Sequence, residues 1–139
     1  MNRFTFQVVI GNNECGSMAV EATTCDIATE IVMEKIGNAL YNALPDLDIE
    51  YYVEVEDVYI DRDYIKEKLK EAEAKCPYDR EIEIDCDDEG NVIICSYSEK
   101  RGEAVEMEGF DVLYNRNDVQ DFNDFDEDEL FGKYFICGF

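Results

Sequence analysis

Histidine and tryptophan are missing from this chain, proline occurs twice, and bases are scarce: 12 Lys and Arg stand against 35 Asp and Glu in 139 residues, a formal charge of −23. Each scarcity excludes something. Without histidine the chain cannot build a Ser–His or Cys–His nucleophilic pair from its own residues, nor a zinc site that uses imidazole. With no basic patch, nothing is available to neutralise a phosphate backbone, so direct binding of DNA or RNA is not expected. No apolar run reaches the roughly 18 residues that a membrane-spanning helix needs, and an anionic chain is repelled by anionic lipid. The stretch MNRFTFQVVIG has one Arg, but Thr5 and Gln7 interrupt its apolar run and no small-residue cleavage site follows, so it does not read as a signal peptide. These absences point to a soluble, cytoplasmic protein.

What is present argues for a folded core. Hydrophobic residues make up 46% and aromatics 12%, far too many for a disordered acidic tail. The length suits one α+β domain spanning 1–139, with no Gly-, Pro- or Ser-rich linker to divide it. The six cysteines, Cys15, Cys25, Cys76, Cys86, Cys95 and Cys137, include no C-x-x-C pair. Without a secretory context they read as reduced thiols, mostly buried, as in Val92-Ile93-Ile94-Cys95 and Phe135-Ile136-Cys137.

Hydropathy patterning places the elements. Residues 4–10 alternate as a strand with Phe4, Phe6, Val8 and Ile10 on one face, residues 11–16 turn, and residues 17–21 return. Thr23 or Thr24 caps a helix over 25–44, with an apolar stripe of Ile27, Ala28, Ile31, Val32, Ile36, Ala39, Leu40 and Ala43 that ends at Pro45. Residues 49–58 form a strand with Ile49, Tyr51, Val53 and Val55 inward. A second helix runs over 61–76 on Ile65, Leu69, Ala72 and Cys76, closed by Pro77. Residues 81–98 read as a hairpin turning near Glu89-Gly90-Asn91. A two-residue turn would set Ile82, Ile84 and Cys86 on the face of Ile93, Cys95 and Tyr97; a longer turn shifts that register. A strand over 103–109 with Val105 and Met107 inward, and a closing strand over 133–139, complete the expected architecture. It is a mainly antiparallel sheet with two helices packed on one face.

Two motif-like stretches fail on their chemistry. Gly11–Ser17 has the glycine spacing of a phosphate-binding loop, but Ser17 and Met18 stand where Lys and Ser/Thr are required. Asp85, Asp87 and Glu89 before Gly90 mimic the start of a calcium loop, yet its twelfth position is Ser96 and not a bidentate Glu. Among 35 acids a carboxylate pair at glycosidase spacing arises by chance. No catalytic residue, cofactor or metal site is therefore expected.

The arrangement of charge says more. Residues 1–45 hold five acids and two bases, residues 46–139 thirty and ten. Within the alternating strands acids recur at every second position: Glu54 and Glu56; Glu81, Glu83, Asp85 and Asp87, followed by Asp88 and Glu89; and Glu106 and Glu108. Residues 118–129 add Asp121, Asp124, Asp126, Glu127, Asp128 and Glu129 without one base. Carboxylates two apart on a strand lie roughly 6.6–6.8 Å apart, and neighbouring strands about 4.8 Å apart. Such a lattice is comparable to phosphates that rise about 3.4 Å each along a DNA strand and are further separated by its winding. Lys does not alternate with Glu here, as it does on surfaces built only for solubility.

In charge, size and lack of catalytic motifs the chain resembles the small acidic anti-restriction and anti-CRISPR proteins of phages and mobile elements, a class that spans many folds. The resemblance implies a non-enzymatic nucleic-acid mimic that fills the basic groove of a restriction enzyme or Cas nuclease, with the acids just named as the partner-binding surface. The alternative is a general acidic interaction module or nuclease-toxin immunity protein, in which Phe122, Phe125, Leu130 and Phe131 anchor in a pocket ringed by Lys and Arg. In either case the chain itself should give no gel shift with duplex DNA, single-stranded DNA or RNA at low salt. A shifted band would contradict the reading of its charge.

Overall fold

The alternation that marks Phe4, Phe6 and Val8 is realised in strand β1 (Asn2–Ile10), where all three are buried. The computed structural model describes residues 1–119 and 125–136, and divides the chain into two compact units, Met1–Ile60 and Asp61–Phe139. In the first, Gly11 turns with φ +63°, and β2 (Asn13–Ala22) returns antiparallel to β1, so the hairpin is tighter than the expected 11–16 turn. The surplus is absorbed as a bulge. Val8 faces Gly16 while Val9 faces Glu14, which leaves Cys15 unpaired beside Gly16 at φ +124°.

Helix α1 (Cys25–Ala43) begins where the Thr24 hydroxyl accepts the Ile27 N–H at 3.4 Å, and ends just before Pro45. Ala28, Val32 and Ile36, four residues apart, pack with Phe4, Phe6, Val8 and Ala22 in the core. The buried stripe is narrower than the sequence pattern. Ile31 and Leu40 flank it, while Ile27, Ala39 and Ala43 are exposed, because one helix on a small sheet buries only the line of residues that faces it.

Strand β3 (Tyr51–Tyr59) pairs with the other side of β1, giving the order β2-β1-β3. Its inward residues are Tyr51, Val53 and Val58. An offset of five between Val53 and Val58 would place them on opposite faces of a regular strand. A bulge at Glu56, between the Phe6–Val55 and Thr5–Asp57 pairs, restores the phase. Val55 pairs with Phe6 ahead of the bulge and keeps the inward phase of Val53, yet it is 45% exposed.

In the second unit, α2 (Arg62–Lys75) starts at Asp61, whose carboxylate accepts the Tyr64 N–H at 3.1 Å, and buries Ile65, Leu69 and Ala72. Strands β4 (Glu81–Cys86) and β5 (Asn91–Ser98) form the expected hairpin, but its loop, Asp87–Gly90, is longer than two residues. Ile84 therefore faces Ile94 and Cys86 faces Val92, so Val92 and Ile94 line the core with Ile84 in place of the Ile93, Cys95 and Tyr97 set. Strand β6 (Glu103–Glu106) continues antiparallel from β5 with every residue exposed, including Val105, so only Met107 of the expected inward pair is partly covered.

Strand β7 (Tyr114–Asn115) pairs with the start of β5 and leads into a 3₁₀ turn (Arg116–Asp118). Helix α3 (Glu127–Phe131) follows, and β8 (Phe135–Ile136) lies parallel to β4; residues 137–139 of the expected closing strand fall outside the described residues. Tyr114 is fully buried, edge-on to Phe125 at 5.2 Å and stacked on Phe131 at 6.3 Å.

The class is thus α+β, with its strands shared between two sheets that are antiparallel apart from β8. The five described cysteines are free thiols. Cys95 is buried, but Cys15 is exposed because the bulge turns it out of the ladder; Cys137 lies outside the described residues.

Gly37 sits inside α1, where an added methyl would stand 2.5 Å from the Tyr51 hydroxyl oxygen. Replacing an interior helix Gly by Ala normally stabilises by about 0.5–1 kcal/mol. Gly37→Ala should show that gain in a Tyr51→Phe background and lose or reverse it in the parent. Urea melts of the four-member cycle measure the coupling.

Candidate functional site

The excess charge is unevenly placed. Residues 61–76, which contain α2 and its cap, carry five acids and five bases, whereas residues 77–139 carry nineteen acids and five bases. Much of that excess converges on one cleft of about 690 Å³. One wall is the β4–β5 loop with Asp87, Asp88 and Glu89; the other is the start of α3 with Asp126, Glu127 and Asp128. Val119 and Phe125 supply apolar lining.

Both walls are held by hydrogen bonds that employ some of the acids as acceptors. The Asp87 carboxylate accepts the N–H groups of Glu89 and Asn91, each at 2.9 Å, and the Asn91 side-chain amide at 3.2 Å. Asn115 Nδ2 donates to the Glu89 carbonyl at 3.1 Å and to Asn91 Oδ1 at 2.9 Å, and Asn117 Nδ2 donates to the same Glu89 carbonyl at 3.3 Å. The Arg116 N–H reaches the Gly90 carbonyl at 2.9 Å. Gly90 is required at this junction. Its φ is +90°, and a Cβ there would meet Asn117 Nδ2 at 2.9 Å.

On the facing wall Asp126 caps α3, accepting from the N–H groups of Asp128 at 3.0 Å and Glu129 at 3.3 Å. Glu127 accepts from the Tyr114 hydroxyl and from Arg116 Nε, both at 3.2 Å. Burial, reinforced by the Glu127 charge, pushes the Tyr114 hydroxyl far above its ordinary range, so it remains a neutral donor. Burial likewise raises the Cys86 thiol at the rim, which keeps it protonated and unreactive. Arg116 is the one base among the lining residues, and Glu127 engages it. The carboxylates of Asp88, Glu89 and Asp128 form no hydrogen bond or ion pair among the described residues and stand free at the cleft.

The other acids expected at the surface are dispersed. Glu54 and Glu56 lie exposed on β3, where the bulge breaks their simple alternation and Glu56 accepts the Ser17 hydroxyl at 2.9 Å. Glu106 and Glu108 are exposed at the end of β6 and just beyond it, and Glu129 is exposed on α3. Asp121 and Asp124 lie outside the described residues. The row Glu81, Glu83, Asp85, Asp87 is not a solvent row. Glu81 and Asp87 are exposed, Asp85 is half-buried with its carboxylate on the Cys86 N–H at 2.8 Å, and Glu83 is only 5% exposed. Glu83 stands opposite Cys95, which is also buried, while Ile84 and Ile94 are buried on the other face. The centre of this sheet is covered on both sides, which strict alternation in the sequence conceals.

Two of the four expected apolar anchors are not at the surface. Leu130 and Phe131 are buried in the chain's own core, and Phe125 packs on Tyr114 with the Arg62 guanidinium 5.6 Å over its ring; Phe122 lies outside the described residues. Sequence reasoning passed over Tyr114, Asn115, Arg116 and Asn117, although an Asn-x-Asn spacing just ahead of an acidic run is a turn-forming signal.

Among the described residues no group of three or more Cys, Asp or Glu side chains is arranged to hold a metal ion, and no helix is long and apolar enough to cross a membrane. No protein-family model, curated protein or solved structure matches the chain.

Glu83 Oε2 is buried without a hydrogen-bond partner among the described residues. A buried acceptor left unsatisfied costs about 1–3 kcal/mol, and more when it is charged. Glu83→Met, of similar length and apolar, should therefore raise the unfolding free energy by at least about 1 kcal/mol in urea titration. A loss of stability would show that this carboxylate has a structural use.

Proposed function

We propose that the chain is a non-enzymatic inhibitor that occupies the basic nucleic-acid groove of a DNA- or RNA-handling protein, such as a restriction enzyme or Cas nuclease. It does so by presenting carboxylates in place of phosphates. The observation that carries this reading is the cleft between the β4–β5 loop and α3, where Asp88, Glu89 and Asp128 stand unengaged among the described residues, the first two on backbone stapled by Asn115, Asn117 and Asp87 and the third on backbone held by Asp126. Such acids lose little freedom when an Arg or Lys meets them, and charge-assisted hydrogen bonds are strongest to acceptors already in position. A general acidic module would rest on the aromatic anchors of 118–131, and the burial of Leu130 and Phe131 removes two of them.

The test starts with capture of partners from host lysate at low and high salt, followed by competition for the identified partner. The chain should displace a labelled duplex or guide RNA from that partner, and the two should never be held together. Asp88→Lys, Glu89→Lys and Asp128→Lys combined should slow association, with the loss shrinking at high salt as the Debye length falls toward about 3 Å at 1 M. A partner that holds nucleic acid and the parent chain simultaneously would exclude mimicry. Unaltered binding by the triple variant would remove the cleft from the interface.

A further inference from the structure

Among the described residues, strand β3 is an edge of its sheet. The first sheet is ordered β2-β1-β3, and no described strand pairs with the far side of β3. At nine residues it is long for an edge, against a mean of about 5–6 for strands in general. Natural edges are commonly blunted by Lys, Pro, short length or a bulge; β3 has neither Lys nor Pro, and its one bulge falls in its second half. It carries Glu54, Glu56 and Asp57, all exposed, together with Tyr52, Val55 and Tyr59, which are 49%, 45% and 54% exposed. The bulge at Glu56 leaves Tyr51–Val55 as a regular stretch paired continuously with β1.

Charge decides what can occupy this edge. A second copy would align acid with acid, and like charges opposite one another across strands destabilise the pairing. An extended segment rich in Lys and Arg meets the opposite condition. The surface already accommodates one such cation. Arg3, opposite Tyr59 in the ladder, holds its guanidinium 5.4 Å over the Tyr59 ring. Tyr52 lies at the other end of the strand and is half-exposed. We infer that the outer edge of β3 accepts an extended basic segment of a partner protein as a fourth strand. Main-chain hydrogen bonds supply the pairing, while alternate Lys or Arg side chains meet Glu54 and Asp57, and their stems cover Tyr52. This surface is separate from the acidic cleft and does not depend on its function.

The probe is a nine-residue peptide of alternating Lys and Val or Thr, compared with the same pattern bearing Glu for Lys, and with a Lys peptide interrupted by two prolines. Site-resolved hydrogen exchange on the full chain should show the Lys peptide protecting β3 amides that do not face β1. The Glu peptide should protect none, and the proline peptide, equal in charge, should give little. Glu54→Lys with Asp57→Lys should weaken binding on the order of tenfold, since each cross-strand pair turns from attractive to repulsive. The cleft variant with Lys at positions 88, 89 and 128 should keep the β3 protection. Equal protection by the proline peptide would reduce the effect to charge alone and overturn the inference. So would protection confined to other segments, or β3 protection that rises with the chain's own concentration in the absence of peptide.

Discussion

Mutual repulsion among carboxylates is the constraint on which this molecule is built. With 35 acids and 12 bases, ionisation at neutral pH works against compactness, and the fold must overcome it with burial and local pairing. Burial comes from two apolar clusters. One joins Phe4, Phe6 and Val8 to Ala28, Val32 and Ile36; the other gathers Tyr114, Phe125 and Phe131. Local pairing comes from the acids themselves. Asp61, Asp87 and Asp126 each accept backbone N–H groups at the start of a helix or inside a loop, so that charge which would repel becomes an acceptor for donors the chain must satisfy anyway.

Bases are spent in the same economical way. Arg116 joins Glu127 beneath the cleft, Arg80 binds Glu103 and the Ser96 carbonyl, and Lys133 joins the Tyr134 hydroxyl on Glu73. The hydrogen bond from Tyr134, with help from Lys133, holds the Glu73 carboxyl below its ordinary range. A depressed carboxyl contributes stability above its unfolded-state pKa, and that contribution disappears as pH falls through the folded-state value. Acidification thus removes such anchors while it relieves the repulsion elsewhere.

The acids left over fall into two physical kinds. At the cleft they sit on rigid turns, point into a concavity and surround a single engaged arginine, a geometry suited to receiving cationic side chains. On β3 they lie along an edge that no described strand pairs, beside exposed tyrosines, a geometry suited to an extended segment. The charge is the same in both places; the backbone beneath it distinguishes what each can bind.

Composition and periodicity by themselves determined that the chain folds as α+β, where α1 and α2 begin and end, and which residues of β1 face inward. These follow from local rules: a Thr or Asp cap, a following Pro, and apolar spacing of two or four. Only the tertiary structure decided the rest, because register turns on single inserted residues and burial on what packs across a face. The bulge at Glu56 brings Val58 back to the inner face, and the length of the Asp87–Gly90 loop selects the β4–β5 register. Cover on both faces of the second sheet buries Glu83, which pattern alone assigns to solvent. The cleft is joined through residues 114–117, where Asn115 and Asn117 hold the β4–β5 loop and Tyr114 and Arg116 hold Glu127, long-range contacts that no local pattern encodes.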